Sequence, residues 1–513
     1  MSGITRRDFL KTGAKGAALV AIPAIFRIDP LAAFATPSPN RNLGDYMTHF
    51  GVDENLIRRV MGAALAHGGD YCDVFFEHTI LYSIRLEDDE VNRAYSNVDF
   101  GVGIRVIEGE QTGYSFTEEI SEKAMLQAAK TAANIARESK TAPPANLSLH
   151  DTPDYYPIET LVENTSITQK IPLLQKVNER MQSRDKRIIK TRAGYSDYSS
   201  YILIATSDGR IVCDYRPMAS LYGVCTAEQD GKRETNSHNF RGRYGLDHYG
   251  VNEINAIADK AVQRTVVLFD AVVPEGGEME VVLGPGDSGI LLHEAIGHGM
   301  EADANRKGES IFADKINKKV AENFISIVDD GTIAHDRGSL NVDDEANDTE
   351  KTYLVRDGIL RSYLHDRISS RYYKVDPTGS GRRESFRFAP IPRMRCTYML
   401  NGPHKREEII KSVKKGLYAE SFQNGEVRIG QGDFTFYLNN GYLIEDGKLT
   451  RPVKDLNLVG NGPDVLTKMV MVADDLAINQ SGGTCGKAGQ SVPVTLGLPT
   501  VKVSSITVGG RSA

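Results

Sequence analysis

Two breaks rich in proline and glycine divide this chain and limit how it can fold. Residues 141–157 contain four prolines, at positions 143, 144, 153 and 157, and residues 274–277 read Pro-Glu-Gly-Gly. Proline and glycine interrupt helices and strands, so such stretches lie between units of regular structure. We therefore expect the folded segments 36–157, 158–273 and 274–513, since a chain of 513 residues is long enough for two or three domains.

The first two segments mix helical and strand patterns, whereas the third is Gly-rich and mostly strand-like. Residues 71–77 and 80–86 alternate like strands, and residues 118–140 have the apolar spacing of a helix, with Thr117 or Ser121 as its N-cap. We predict an α+β protein. An N-terminal α/β lobe with an antiparallel sheet and helices precedes a C-terminal, mostly antiparallel β lobe that forms a sheet or a barrel.

Composition excludes several classes of protein. A net charge of −7 argues against a nucleic-acid binder, which needs a basic surface. Five cysteines without a CxxC pair exclude a disulfide-dense scaffold and a zinc ribbon, although a Cys213–Cys225 disulfide stays open. No apolar run reaches the roughly 18–20 residues of a spanning helix, so we expect no stable membrane span.

The N-terminus has the pattern of an export signal. The run Thr5-Arg-Arg-Asp-Phe-Leu-Lys11 matches the twin-arginine motif, an apolar stretch follows, and Ala33-Phe-Ala35 matches an A-x-A cleavage site. We predict that residues 1–35 are a twin-arginine signal peptide and that the protein is exported to the periplasm or another extracytoplasmic compartment. A short amphipathic helix is the alternative. These residues carry a net +3, so cleavage after Ala35 changes the charge from −7 to −10.

Residues 293–298 read His-Glu-Ala-Ile-Gly-His, which separates two histidines by five positions. Successive residues of an α-helix are about 100° apart, so a regular helix would aim these two rings about 140° apart. Binding one ion requires an extra residue in the turn, as in a π-bulge, and Gly297 lowers the steric cost of that distortion. We expect a bulge or break within 295–298 if the pair binds a metal. A regular buried helix with two incidental histidines is the alternative.

A catalytic zinc site usually has three protein ligands and one open position. The candidates for the third ligand are Glu301 and Asp303 nearby and Cys485 in the Gly-rich segment 481–491. A thiolate beside two imidazoles favours zinc over magnesium or calcium. Glu294 follows the first histidine directly, where a zinc peptidase holds its general base. These residues by themselves leave the third ligand open.

Further motifs follow in order along the C-terminal half: Asn305-Arg-Lys-Gly308, Val328-Asp-Asp-Gly331, Pro392-Arg-Met394, Gly460-Asn-Gly-Pro463 and Gly483-Thr-Cys485-Gly-Lys487. Together with HExxxH, this series resembles the TldD/PmbA family of metallopeptidases. The resemblance implies a two-lobed α+β fold. Because HExxxH and Gly-x-Cys-Gly-Lys are both present, it also implies the metal-bearing TldD branch, with Zn²⁺ as the cofactor.

Carried onto this sequence, the resemblance implies that His293, His298 and Cys485 bind zinc and that Glu294 is the catalytic base. The implied activity is hydrolysis of peptides or unfolded polypeptides. The implied assembly is a dimer, and the export signal, which departs from the family pattern, leaves open whether the partner is a TldE/PmbA-like subunit or a second copy. A peptide-binding or regulatory subunit with a structural zinc, and a hydrolase of non-peptide amides, are the alternatives.

Three charged residues have other candidate roles near the ion. Glu301 and Asp303 are candidate partners of the histidine rings, and Lys487 is a candidate oxyanion donor. A solvated helix end and an ordinary loop lysine are the respective alternatives. Residues 366–395 hold eight Lys or Arg against three acids. We expect a solvated loop there, or a mobile loop near the site that binds a peptide carboxylate.

Overall fold

A computed structural model describes residues 42–136, 143–428 and 430–510. The predicted signal peptide, 1–35, lies outside these ranges. Within them, no helix combines the length and the apolar character needed to cross a membrane.

The N-terminal lobe is a sheet with helices packed against it. Its strands are β1 (Tyr71–Glu87), β2 (Glu90–Glu108), β3 (Gln111–Thr117), β4 (Ser148–Leu149), β5 (Ile188–Thr206), β6 (Arg210–Gln229) and β7 (Lys232–Gly242). Its helices are α1 (Leu43–Phe50), α2 (Glu54–Ala64), α3 (Glu122–Ala133), α4 (Ile167–Arg184) and α5 (Val251–Val266). The order β3-β2-β1-β5-β6-β4, with β7 on β6, joins strands from both sides of residues 141–157 in one sheet.

Strand β1 shows that this sheet is buried on both faces. Because alternate side chains point to opposite faces, Val74 and Phe76 pack against the helices, whereas Phe75 packs against Val342 and Phe386 of the C-terminal lobe. The sheet therefore joins the two lobes.

Two local expectations had different outcomes. The two strands expected at 71–77 and 80–86 form one continuous strand of 17 residues. The helix expected at 118–140 is the shorter α3, Glu122–Ala133, and residues 137–140 lie outside the described ranges. Of the two N-cap candidates, Ser121 is the cap, because its hydroxyl accepts from the backbone N–H of Ala124.

The C-terminal lobe contains short strands and short helices. Its strands are β8 (Gly277–Leu283), β9 (Ile327–Asp330), β10 (Lys351–Arg356), β11 (Ile359–Leu360), β12 (Gly381–Arg382), β13 (Ile391–Pro392), β14 (Cys396–Met399), β15 (Lys415–Arg428), β16 (Asp433–Glu445), β17 (Lys448–Val453), β18 (Leu456–Asn461), β19 (Met469–Val472), β20 (Ala477–Ile478), β21 (Gly483–Lys487), β22 (Gln490–Leu498) and β23 (Val501–Gly510). Its helices are α6 (Ile290–Leu292), α7 (Ala302–Arg306), α8 (Arg367–Tyr373), α9 (Arg406–Lys411) and α10 (Gly462–Thr467).

A five-stranded barrel organises this lobe. Strands β15-β8-β23-β18-β16 pair in sequence, and β16 pairs back with β15 to close the ring. A second sheet runs β11-β10-β9-β14-β22-β20, and β21 pairs with β22. The helical segment after β8 packs between the two, because Leu291, Leu292 and Ile296 share one hydrophobic core with side chains of both. The predicted α+β class with a barrel-like C-terminal lobe is confirmed.

The basic stretch 366–395 is not a solvated loop. Arg382, Arg383, Arg393 and Arg395 are all buried, so the expectation of a solvated loop is wrong at these positions. Their guanidinium groups are held by backbone carbonyls and by buried carboxylates that lie far away in the sequence. All five cysteines are buried and none is in a disulfide, so the Cys213–Cys225 disulfide does not form.

Candidate metal centre

The helical segment that carries the two histidines is irregular. After the single turn α6, residues His293–Gly297 form a π-helical turn and His298–Met300 a 3₁₀ turn. The extra residue brings the rings of His293 and His298 together, with their centroids 5.2 Å apart and their planes at 80°. The predicted π-bulge is confirmed, and the regular helix is excluded.

Two glycines allow close packing around the π turn. A Cβ atom on Gly297 would overlap the sulfur of Met394, and one on Gly462 would overlap the carbonyl oxygen of Ala295. The backbone of α10 therefore lies directly against the turn, at a distance that only glycine permits. Sequence reasoning missed these two contacts, although Met394 and Gly462 lie within the motifs that carry the family resemblance.

Three donor side chains converge at this turn. One ligand atom from each of His293, His298 and Cys485 lies within 4.8 Å of the other two, and Cys485 Sγ is 3.3 Å from His298 Nε2. All three residues are buried, and both ring nitrogens of His293 lack a hydrogen-bond partner among the described residues. A buried polar atom without a partner costs about 1–3 kcal/mol, and a cation bound here would satisfy it. Two imidazoles and a thiolate are a donor set that fits zinc.

The electrostatics of Cys485 favour the thiolate. Burial would raise the pKa of its thiol, but the adjacent His293 and His298 outweigh burial and lower it to about 4. Burial raises the pKa of the Cys225 thiol to about 11, and that of Cys396 rises well above its usual value. Because the thiolate is the form that binds metals, Cys485 differs from these buried cysteines in the way a ligand requires.

Glu294 is placed differently from the three donors. Its side chain is 21% exposed, whereas that of His298 is 4% exposed, and its Oε2 lies 3.7 Å from His298 Nε2. It lines a cavity of about 610 Å³ between β7 and α5 of the N-terminal lobe and β15 and β21 of the C-terminal lobe. The carboxylate therefore contacts both the buried donors and a space that a second molecule can enter.

A buried charge network lies behind His298. Glu301, which is fully buried, accepts from His298 Nδ1 at 2.8 Å and lies 3.0 Å from Lys487 Nζ. Lys487 also donates to Asp303 at 2.7 Å and to the carbonyl of Pro392 at 3.1 Å. Because Nδ1 of His298 is engaged by Glu301, its Nε2 is the nitrogen that faces the donor group.

The charged candidates therefore have distinct positions. Glu301 and Asp303, both considered as third ligands, are not in the donor group, whose described members are two histidines and a cysteine. Glu301 contacts a histidine ring, and Asp303 instead contacts Lys487. Lys487, considered as an oxyanion donor, is already engaged by three acceptors. Burial would raise the pKa of Glu301, but Lys487 and His298 lower it to about 2.

Arg393 is a residue of the site that sequence reasoning missed. It is fully buried, its Nη2 donates to the carbonyl of Cys485 at 2.6 Å, and its Nε lies 4.0 Å from Glu301 Oε1. It thus connects the strand that carries the cysteine to the network behind His298. The excess of arginine in 366–395 was the available signal, but composition does not show which of these arginines is buried.

Comparisons with known proteins agree with this architecture. Family models match residues 72–136, 161–269 and 276–510, described as domain 1, the central domain and the C-terminal domain of PmbA/TldA metallopeptidases. The metalloprotease TldD homolog of Haemophilus influenzae is 40% identical over 450 residues, covering 86% of this chain and 93% of that protein. The zinc metalloprotease TldD homolog of Saccharolobus solfataricus is 29% identical, covering 86% of this chain and 97% of that protein.

Solved structures show the same fold. TldE from Thermococcus kodakarensis superposes with a TM-score of 0.69 at 18% identity, over 89% of this chain and 99% of that chain. A Thermotoga maritima protein superposes with a TM-score of 0.72 at 19% identity, over 88% and 99% respectively. The matches to the family models and to the 40% identical relative together show that this chain belongs to the TldD/PmbA family of metallopeptidases.

Proposed function

We propose that this protein is a zinc-dependent peptidase that hydrolyses peptides or unfolded polypeptide segments. The observation that carries this proposal is the buried group of His293, His298 and Cys485 next to a partly exposed Glu294 on the wall of a cavity. The metalloprotease names of the relatives support peptide hydrolysis as the reaction. His293, His298 and Cys485 would hold a zinc ion, which would supply the Lewis acidity that lowers the pKa of water and polarises a carbonyl.

Two carboxylates of this site, Glu294 and Glu301, have separate roles in the proposed reaction. Glu294 acts as the general base: it takes the proton of the attacking water and passes it to the leaving amine. Its position at the cavity wall lets it reach both the water and the substrate. Glu301 acts through His298, because the 2.8 Å hydrogen bond to Nδ1 fixes the orientation of that ring.

The alternative of a structural zinc makes a different prediction about ligand number. Structural zinc sites are closed by four protein ligands, whereas catalytic sites keep one position open. The close donor group contains three side chains among the described residues, which favours catalysis. A hydrolase of non-peptide amides would use the same residues, so the choice of substrate in the assay separates that alternative.

The decisive experiment combines metal analysis with a peptide-library digest of the purified chain, with and without a chelator. Glu294→Gln is expected to keep zinc while losing about 10²–10⁴-fold in turnover, the contribution of a general base. Glu275→Gln, at an exposed loop position, is the matched control and is expected to behave as the wild type. Full peptidase activity in Glu294→Gln would refute the proposed role of this carboxylate.

We further propose that the protein acts outside the cytoplasm as a dimer, with a TldE/PmbA-like subunit or with itself. The twin-arginine motif at Thr5–Lys11 supports export, and the structural similarity to TldE supports the pairing. Replacing Arg6 and Arg7 together by lysine is expected to keep the protein in the cytoplasmic fraction. An unchanged distribution would refute export by this route, and light scattering of the protein with and without the co-expressed subunit measures the assembly.

A further inference from the structure

A second cavity, of about 700 Å³, lies between the N-terminal sheet and the β12–β13 and β22 region of the C-terminal lobe. Its lining is unusually rich in guanidinium groups, namely those of Arg216, Arg243, Arg382, Arg383 and Arg387. Apolar side chains such as Phe75, Leu81 and Phe388 form other parts of the wall. A cavity of mixed apolar and cationic character is suited to an organic anion rather than to a bare inorganic ion.

Three of these arginines have carboxylate partners. The ion pairs are Arg216–Asp344 at 2.6 Å, Arg383–Asp73 at 3.1 Å and Arg387–Asp99 at 2.8 Å. Their charges are balanced by the protein itself, so they have no need of an additional anion.

The other two, Arg243 and Arg382, are buried without an ion-pair partner. Each is only 2% exposed, and within the described parts of the chain neither guanidinium has a carboxylate within ion-pair distance. Arg382 donates to the carbonyls of Met394 and Pro493 at 2.5 and 2.7 Å, and Arg243 donates to that of Ser339. Carbonyl oxygens satisfy the hydrogen bonds of a guanidinium but leave its net charge uncompensated.

Uncompensated burial of charge is costly, and this cost is visible at Arg382. Burial outweighs the opposing effect of Asp344 and, together with the nearby Arg393 and Arg243, lowers the pKa of this guanidinium to about 9. Glu77, on the same lining, has no basic ion-pair partner in the part of the chain that the structure describes, and burial raises its pKa to about 7. Glu384 also lines the cavity. Near neutral pH, Glu77 and Glu384 therefore offset part of the positive charge of Arg243 and Arg382, and an anion in the cavity would offset the rest.

The arginine-lined cavity and the cavity of Glu294 share the β21–β22 hairpin as part of their walls. Pro493 lines it, and across the β21–β22 hairpin Pro493 pairs with Thr484, which lines the cavity of Glu294. Paired residues of antiparallel strands have Cα atoms about 5 Å apart. A polypeptide bound at Glu294 and extended across this hairpin would therefore bring a neighbouring group to the arginine-lined cavity.

We propose that the cavity lined by Arg243 and Arg382 binds a carboxylate of the peptide substrate, and this proposal rests on the proposed peptidase function. The carboxylate is that of the substrate's C-terminus or of an Asp or Glu side chain. Guanidinium groups bind carboxylates through strong, charge-assisted hydrogen bonds. The protein therefore selects acidic or carboxyl-terminal segments, while the metal centre performs the cleavage.

The test measures binding of fluorescent peptides to the zinc-loaded Glu294→Gln protein, in which cleavage is suppressed. Four versions of one unstructured peptide combine a free or an amidated C-terminus with Asp/Glu or Asn/Gln side chains. We expect the fully neutral version to bind at least about 10-fold more weakly, the cost of a lost charged hydrogen bond. The two singly altered versions identify which carboxylate is bound. Equal affinity for all four versions would overturn the proposal.

Arginine variants then locate the effect. Arg382→Gln and Arg243→Gln are expected to reduce the preference for acidic peptides, while Arg233→Gln, an exposed position on β7, keeps it. Arg382 also donates to two backbone carbonyls, so its replacement can disturb the fold, and Arg243→Gln serves as the second variant. The peptide series is measured on protein with both arginines intact, so its result does not depend on how the arginine variants fold. If the wild type cleaved peptides but did not prefer acidic ones, the role of the cavity would be refuted and the peptidase function would stand. If the protein preferred acidic peptides but the wild type cleaved none of them, the peptidase function would be refuted and binding of a carboxylate in the cavity would stand.

Discussion

Two buried polar regions lie on opposite faces of the β21–β22 hairpin and differ in whether their charged groups have ion-pair partners. Cys485 and Lys487 point to one face, where Lys487 pairs with Glu301 and Asp303. Pro493 belongs to the other face and lines the cavity in which Arg382 is buried without an ion-pair partner among the described residues. The charges of the first region are paired within the protein, so we call it balanced. The charge of Arg382 in the second region is not paired in this way, so we call that region unbalanced.

One buried glutamate from each region shows this difference, Glu301 in the first and Glu77 in the second. Burial raises the pKa of both carboxyl groups, but Lys487 and His298 reverse the effect at Glu301 and lower its pKa to about 2. Glu77 is contacted by the Thr79 hydroxyl and a backbone N–H, and its pKa stays raised at about 7. Burial alone therefore does not determine ionisation. A balanced network fixes the position of a ligand, whereas an unbalanced one favours a bound counter-charge.

The largest effect is expected from Cys485→Ser, which removes the thiolate on the balanced face. A serine hydroxyl does not ionise and is not a usual zinc ligand, so zinc affinity should fall by more than about 100-fold, beyond the effect of losing an outer partner. Cys225→Ser is the control, because its Sγ lies 3.1 Å from the Thr265 hydroxyl and serine can keep that contact. Mass spectrometry of bound zinc measures the outcome, and a full complement of zinc in Cys485→Ser would exclude the cysteine as a ligand.

Glu301→Gln tests whether the network behind His298 depends on its central charge. Lys487 would keep only Asp303 as an ionic partner, and breaking a buried pair costs about 3–5 kcal/mol. Zinc affinity should fall about 10–100-fold, because His298 loses the acceptor that orients it. Denaturant unfolding and chelator competition measure the two effects, with the exposed Glu309→Gln as control. If neither the unfolding free energy nor the zinc affinity changed, the charge of Glu301 would not be what holds this network together.

Glu77→Gln tests the unbalanced face through the pH dependence of the free energy of unfolding. The folded-state pKa of Glu77, about 7, lies above its ordinary value of 4.5, so the folded protein holds this proton more tightly than the unfolded chain. Its contribution is therefore fully present below pH 4.5 and is lost as the pH rises through 7, a change of roughly 3 kcal/mol. Glutamine does not titrate, so the variant's unfolding free energy should decline less between pH 5 and 8. Parallel curves for the two proteins would show that Glu77 titrates normally.

Local geometry made part of this site predictable from the sequence. The extra residue between His293 and His298 requires a distorted turn wherever both rings meet, and the structure has a π turn there. The third member of the donor group was not predictable from spacing, because Cys485 lies 187 positions from His298. The pairing of β22 with β14 and β21 brings it there. The residues alone left Cys485 as one of three candidates, and the family resemblance selected it.

The charges of the site were less predictable than its ligands. Arginine is mostly exposed in proteins, so a basic stretch indicates a solvated loop. Arg393 and Arg395 are instead buried, because a carbonyl of β21 and Asp329 of β9 accept their hydrogen bonds. Likewise, alternation predicted strands, but closure of the barrel depends on the pairing of β15 with both β8 and β16. Contacts between distant segments determine both features.

The smallest effect is expected from Asp303→Asn, at the solvent-facing end of the balanced network. The side chain of Asp303 is 24% exposed, so water screens its attraction to Lys487, and its loss should cost no more than about 1 kcal/mol. Lys487 keeps Glu301 and the Pro392 carbonyl, and His298 keeps its acceptor, so zinc affinity should stay close to that of the wild type. The same unfolding and chelator assays apply. An effect as large as that of Glu301→Gln would mean that the three charges act as one unit, because screening at the exposed end would then not separate Asp303 from the buried pair.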